Sequence, residues 1–333
     1  MRIGSLALAL AGVAVSAMAA MAQTALKPAI VYDKGGKFDK SFNEGVFAGA
    51  EKFKAETGVE FRDFEPNNDA QIEQALRRFA RDGHSPIIAV GFSQATALQK
   101  VAAEFPALKF TLIDMVVDLP NVQSVLFKEH EGSYLVGLLA GLASKSGKVG
   151  FVGGMDIPLI RKFACGYVQG VKAARSDAEI FQNMTGSTPA AWNDPVKGGE
   201  LAKSQIDRGA DVIYHAAGGT GIGVLRAAAD AGKLGIGVDS NQNALQPGKV
   251  LTSMLKRVDV ATYSSFKAAQ AGTWKPGISV LGLKEDGVGW AQDDNNKALI
   301  TPEMKAAADK ARADIISGTI KVHDYMSDQK CTL

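Results

Sequence analysis

The chain has 333 residues, 46% of them hydrophobic and 22% charged, an ordinary globular composition. Its 37 lysines and arginines nearly balance 35 aspartates and glutamates, which excludes nucleic acid or an anionic membrane surface as the main partner. That length exceeds what one hydrophobic core usually serves, so two lobes are expected.

Residues 1–22 stand apart. Arg2 gives a positive start, residues 6–19 are almost wholly apolar or small, and Ala20-Met21-Ala22 is a small-x-small cleavage site. This is the pattern of a secretory signal peptide, with an apolar run too short for a comfortable membrane span. A soluble, exported protein is expected, most simply in a bacterial periplasm. No cysteine precedes Cys165, so no lipid anchor is expected. Cys165 and Cys331 are the two cysteines, and an oxidising compartment favours pairing them. The expectation is a disulfide that staples the tail to the second lobe.

From residue 28 onward, short apolar runs alternate with amphipathic stretches of helical length, the mark of a parallel sheet covered by helices. Strands are expected at Ala29–Asp33, Val59–Phe64, Ile87–Val90, Phe110–Asp114 and Val122–Phe127, with helices near 40–56, 69–82 and 93–104. A long helix over 129–145 leads to a second series that begins at Lys148–Val152. It continues with strands near 179–184, 211–215, 235–239 and 249–255, separated by helices near 158–175, 196–208 and 221–231. The last part reads as a helix (258–272), a strand (278–283), a loop, and a helix opened by Thr301-Pro302-Glu303 and closed by Gly318. No long linker or repeat divides the halves. Two similar α/β lobes joined by several short crossings are expected: 23–128 with about 257–290, and 129–256 with about 291–333.

In an open α/β sheet, ligands bind at the carboxyl ends of the strands. The segment 28–45 places Asp33, a Gly-Gly turn, Phe42 and Asn43 at one such end. Asp114, the turn Ala217-Gly218-Gly219-Thr220-Gly221, Asp239 and Lys256 stand at others. One acid at a strand end is more often a helix N-cap than a ligand, but three on one sheet edge point to binding. Carboxylates accept hydrogen bonds from vicinal hydroxyls, and a nearby lysine donates to the same groups while offsetting the negative charge. Asp114, Asp239 and Lys256 therefore suit a ribose-like polyol. Phe42 and Trp192, one from each lobe, would sandwich a flat ring when the cleft closes.

Catalytic signals are weak. His84, His130, His215 and His323 lack metal-ligand spacing, and no G-x-S-x-G, H-E-x-x-H or paired-cysteine motif occurs. The Gly218–Gly221 turn is neither G-x-G-x-x-G nor a phosphate loop, and Gly153-Gly154 is weaker still. A binding protein is expected rather than an enzyme, with no cofactor or metal. A hydrolase would want Asp33, Asp114 and Asp239 as an acid cluster. A ligand sensor serving a signalling partner would share the same cleft.

Several motifs, in order over about 28–320, carry a resemblance. Asp33…Gly-Gly…Asp39-Lys40-Ser41-Phe42-Asn43, Ile113-Asp114 with Pro120-Asn121-Val122, and Ala217–Gly221 belong to it, as do Val238-Asp239-Ser240 and Thr252–Arg257. The sequence resembles the basic membrane protein family, substrate-binding components of ABC importers akin to purine nucleoside receptor lipoproteins. The resemblance implies a type I periplasmic-binding fold and a nucleoside or related purine in the cleft. Phe42 and Trp192 would stack on the base and Asp33 would face it. Asp114, Asp239, Gly218 and Lys256 would hold the ribose. Lys34 is unusual for the family; a cation there would pair with Asp33 and alter which base edge is read. The partner implied is an ABC permease, and a monomer is expected because each lobe must swing freely. Another ribose-like or aromatic solute is the alternative.

Overall fold

A computed structural model describes residues 26–331; the signal-peptide reading of 1–22 lies outside them. The first half builds β1 (Ala29–Val31), α1 (Phe42–Thr57), β2 (Arg62–Phe64), α2 (Asp69–Arg81) and β3 (Ile87–Val90), then α3 (Ala95–Glu104), β4 (Phe110–Ile113) and β5 (Val122–Phe127). The second series runs α4 (Glu129–Ala143), β6 (Lys148–Met155), α5 (Pro158–Ala174), β7 (Glu179–Gly186) and α6 (Pro195–Asp207). It continues with β8 (Val212–Ala216), α7 (Gly221–Asp230), β9 (Leu234–Asp239) and β10 (Val250–Lys256). The chain closes with α8 (Val258–Gln270), β11 (Gly277–Leu281), β12 (Val288–Trp290) and α9 (Pro302–Ser317).

Two six-stranded sheets result, in the orders β11-β5-β4-β3-β1-β2 and β12-β10-β9-β8-β6-β7. Every pairing is parallel except β12 with β10. Ignoring the outermost late strand, both lobes have the same doubly wound order, so each sheet has a switch point beside its first strand, β1 or β6. The central strands are apolar throughout, as strands covered on both faces must be: β1, β3, β4 and β8 are wholly buried.

Three crossings join the lobes: after β5, after β10, and between β11 and β12. They lie against one another through Lys128 N–H to Leu281 O (3.0 Å) and Arg257 N–H to Gly287 O (2.8 Å). The third crossing falls within 282–287, earlier than the expected boundary at 290, because Val288–Trp290 pairs with β10. Strand ends also shift: β1 stops at Val31 rather than Asp33, and β2 starts at Arg62 rather than Val59. The structure bonds Cys165 on α5 to Cys331, with Cα atoms 5.4 Å apart.

Candidate functional site

The carboxyl ends of both sheets face each other across one cleft. All nine candidate ligand residues line it: Asp33, Lys34, Phe42, Asn43, Asp114, Trp192, Gly218, Asp239 and Lys256. The lobes are closed on each other. Ser240 Oγ donates to Ser41 O (2.8 Å), Gln242 Nε2 donates to Lys40 O (2.9 Å), and Ser41 Oγ bonds Asp239 Oδ2.

Asp114 follows β4 and Asp239 ends β9, the fourth strand of each lobe. Both adopt left-handed backbone, with φ of 73° and 62°, a conformation that non-glycine residues hold only where the surroundings enforce it, often at ligand sites. Burial raises the pKa of each to about 6, against the pull of Lys256. Lys256 Nζ lies 2.7 Å from Asp114 Oδ2 and 3.0 Å from Glu129 Oε1, and its side chain is 2% exposed. Although burial opposes its charge, Asp114, Glu129 and Asp239 together hold its pKa above the ordinary value. The ammonium also stands 5.1 Å from the ring centre of Phe42 and 5.2 Å from that of Phe127, where cation–π attraction adds to the pairing. Asp114 Oδ1, by contrast, is buried with no hydrogen-bond partner among the described residues.

Asp33 sits beyond β1 with its carboxylate accepting from Lys34 N–H (2.8 Å) and Ser93 Oγ (3.0 Å). Burial raises its pKa to about 6. Gly91 has φ of 97°, and a Cβ there would come within 2.4 Å of Asp33 Oδ2, so the glycine is needed for the acid to fit. Two expectations need correction. The Lys34 ammonium does not pair with Asp33; it pairs with Asp69, while the Asp33 carboxylate is taken up by Lys34 N–H and Ser93 Oγ. The Asn43 amide is spent on the loop itself. Its Nδ2 donates to the carbonyls of Asp33 and Gly36 (both 3.0 Å) and its Oδ1 accepts from Asp33 N–H (3.1 Å). Asn43 shapes the loop and has no N–H left for a ligand.

Trp192 ends a 3-10 turn, Pro189–Trp192, just before α6. Thr220 Oγ1 fastens this turn by donating to Ala191 O (2.8 Å) and accepting from Asp194 N–H (2.7 Å). The indole lies over Gly154, where a Cβ would sit 2.0 Å from its Cζ3. Gly154, near the end of β6, thus seats an aromatic ring, and the Gly153-Gly154 pair within the strand forms no phosphate turn. His215 is buried outside the cleft lining. Its Nε2 pairs with Gln242 Oε1 (2.9 Å), and burial lowers its pKa to about 4.

Other residues at the site escaped the sequence reading. Asp39 lines the cleft and caps α1, accepting from the N–H groups of Ser41 (2.8 Å), Asn43 and Glu44 (both 3.1 Å). Glu129 lies beneath Lys256; its position at the start of α4, two residues past β5, was a signal, obscured because acids at helix starts are commonplace. Phe163 and Ile160 of α5 add an apolar wall. Among the described residues, no group of three or more His, Cys, Asp or Glu is arranged to hold a metal ion.

A closed two-lobed cleft of this kind, lined by acids, two lysines and aromatic rings, defines a solute-binding protein. Residues 27–325 match the family described as ABC transporter substrate-binding protein PnrA-like, and the chain belongs to this family, which includes the basic membrane proteins. It is 34% identical to the CD4+ T-cell-stimulating antigen of Listeria monocytogenes, over 88% of this chain and 87% of that one. It is 33% identical to the ABC transporter nucleoside-binding protein BmpA of Lactococcus lactis subsp. cremoris, over 95% and 97%. The crystal structure of an ABC transporter solute-binding protein from Aeropyrum pernix K1 superposes with a TM-score of 0.82 at 30% identity, covering 89% of this chain and 92% of that one. The fold is that of type I periplasmic-binding proteins. The protein is thus an extracytoplasmic substrate-binding component that takes a small ligand and works with an ABC permease; its family is one of binding proteins, not enzymes. Relatives from Pyrococcus horikoshii, Pyrococcus abyssi and Pyrococcus furiosus are named lipoproteins, so the expectation of no lipid anchor does not extend to the family.

Proposed function

We propose that the cleft binds a purine nucleoside, or a related purine, and that the protein delivers it as a periplasmic monomer to its permease. The observation that carries the reading is Asp114 Oδ1, a buried carboxylate oxygen without a partner among the described residues, beside Lys256 and opposite Asp239 in a closed cleft. An unpaired buried acceptor costs about 1–3 kcal/mol, and a ribose hydroxyl would remove that cost. Asp239, Lys256 and the Gly218 backbone would hold the same sugar. Phe42 and Trp192 would flank the base, with Asp33 at its polar edge. Closing the lobes expels water and strengthens each carboxylate–hydroxyl bond. The nucleoside-binding name of the Lactococcus relative agrees with this reading.

The test is calorimetric titration of protein unfolded and refolded to strip carried-over ligand, with adenosine, guanosine, inosine and adenine. Tight binding of nucleosides, lost in Asp239→Ala, is expected. Binding of adenine alone would remove the ribose roles of Asp114, Asp239 and Lys256. No binding by any of the four would point to another ribose-like or aromatic solute.

A further inference from the structure

Helix α5 has two tasks on opposite sides. Leu159, Ile160 and Phe163 form a wall of the cleft. Lys162, Cys165 and Gln169, spaced three and four residues apart and hence on one face, hold the C-terminal tail. Gln169 bonds the backbone of His323 twice, at 2.8 and 3.0 Å, and Cys165 bonds Cys331. Lys162, nearly buried, reaches three oxygens: Phe127 O at 2.7 Å, Glu129 Oε2 at 2.9 Å and Asp324 Oδ2 at 3.6 Å. Glu129, 1% exposed, meets Lys256 with its other oxygen. The result is an unbroken line of alternating charge, Asp114–Lys256–Glu129–Lys162–Asp324, from the ligand side of the cleft to the stapled tail.

We infer that the tail is a support of the ligand site: Asp324, held in place by the disulfide, positions Lys256 through Lys162 and Glu129. A buried ammonium shares its attraction among the carboxylates within reach. With Asp324 gone, Lys162 draws Glu129 more strongly, and Glu129 holds Lys256 less firmly beside Asp114. Loss of the disulfide removes a covalent hold on the outer face of α5, whose inner face lines the cleft. Lys162 and Asp324 are positioning residues, since neither lines the cleft. The inference rests on the reading of Lys256 as a ligand-facing group.

The experiment titrates inosine into the oxidised protein, the protein with its disulfide reduced to two thiols by a phosphine, and Asp324→Asn. Asparagine keeps an oxygen able to accept from Met326 N–H and removes only the charge. Binding should weaken roughly 3- to 10-fold in both altered forms. Asp328→Asn, which alters a tail acid that pairs with His323 outside the line of charge, should stay within twofold of wild type. In Glu129→Gln, adding Asp324→Asn should cost less than it does alone. Amide exchange over 157–163, a readout that needs no ligand, should speed up on reduction. Unchanged affinity in Asp324→Asn and in the reduced protein, or an equal loss in Asp328→Asn, overturns the inference. If inosine binds to none of the forms, the nucleoside reading fails and exchange alone decides: unchanged exchange over 157–163 overturns the support role.

Discussion

The two lobes repeat one strand order, yet their sheet edges are used differently. At the fourth strand the lobes agree: Asp114 and Asp239 share a left-handed backbone, burial and a pKa raised to about 6. At the first strand they part. Asp33, beyond β1, is half-buried with a raised pKa, while Asp156, beyond β6, is exposed and bound to Arg161 at 2.7 Å, which holds its pKa down. At the fifth strand they part again. Lys256 ends β10 inside the cleft; Lys128 follows β5 with its side chain 42% exposed, pairing with Glu131 at 3.1 Å. A repeated scaffold supplies similar strand ends, and burial separates the charged groups held inside the cleft from those left at the surface.

The largest break in that comparison is expected from the two lysines. Lys256→Ala leaves Asp114 and Glu129 buried without their common cation, a loss of about 3–5 kcal/mol together with ligand binding. Lys128→Ala should cost below about 1 kcal/mol. Urea denaturation of both variants checks the contrast, and similar costs would refute it.

Next come the glycines that seat ligand-facing groups. In the second lobe, Gly154→Ala should displace the Trp192 ring and weaken ligand binding about as much as Trp192→Ala, on the order of 1–3 kcal/mol. In the first lobe, Gly91→Ala strains a backbone at φ of 97° and crowds Asp33, so it should lower the melting temperature as well as affinity. Titration and thermal melting together separate the two effects. Intact affinity in Gly154→Ala would show that the indole can move without loss.

The matched aspartates sharpen the comparison through pH. Their folded pKa values, near 6, lie above the unfolded value of about 3.9. Protonation therefore favours the folded, ligand-free protein. That stability is fully present below about pH 4 and is lost as pH rises through 6. Ligand affinity should run the other way and fall as pH drops below 6, because a protonated carboxyl is a weaker acceptor. Asp239→Asn, whose side chain tolerates left-handed backbone, should flatten part of both curves. Unfolding and binding measured from pH 5 to 8 test the opposed slopes; parallel slopes would rule out these groups.

Much of this edge was legible in the sequence because strand ends and doubly wound topology converge by rule. The nine cleft residues lie at or just beyond the carboxyl ends of strands, from the last strand residue (Asp239, Lys256) through the following turn to the first turn of the next helix (Phe42, Asn43). What stayed hidden depended on partners far away in the chain. Asn43 reads as a free amide until its hydrogen bonds to the loop are known, and Lys34 reads as a partner of Asp33 until Asp69 is seen beside it. Glu129 shares its place at a helix start with many acids that merely complement a dipole. β12 is three residues long and antiparallel, so it has no apolar run to announce it.

The smallest expected effect is also the sharpest test of burial as the deciding factor. Asp33 and Asp156 each follow the first strand of a lobe, two residues beyond β1 and one beyond β6, so sequence pattern alone gives them similar standing. Asp156 meets Arg161 at the surface, where an ion pair contributes about 0–1 kcal/mol; Asp156→Asn should leave nucleoside affinity within about twofold. Asp33→Asn removes a charge that Gly91 and Ser93 are shaped to receive, and it should change the ranking of adenosine, guanosine and inosine. Asn presents an N–H where the carboxylate accepted, which inverts one hydrogen bond to the base edge. A change of ranking in Asp156→Asn, or none in Asp33→Asn, would mean that position along the sheet edge, rather than burial, selects the residue that reads the base.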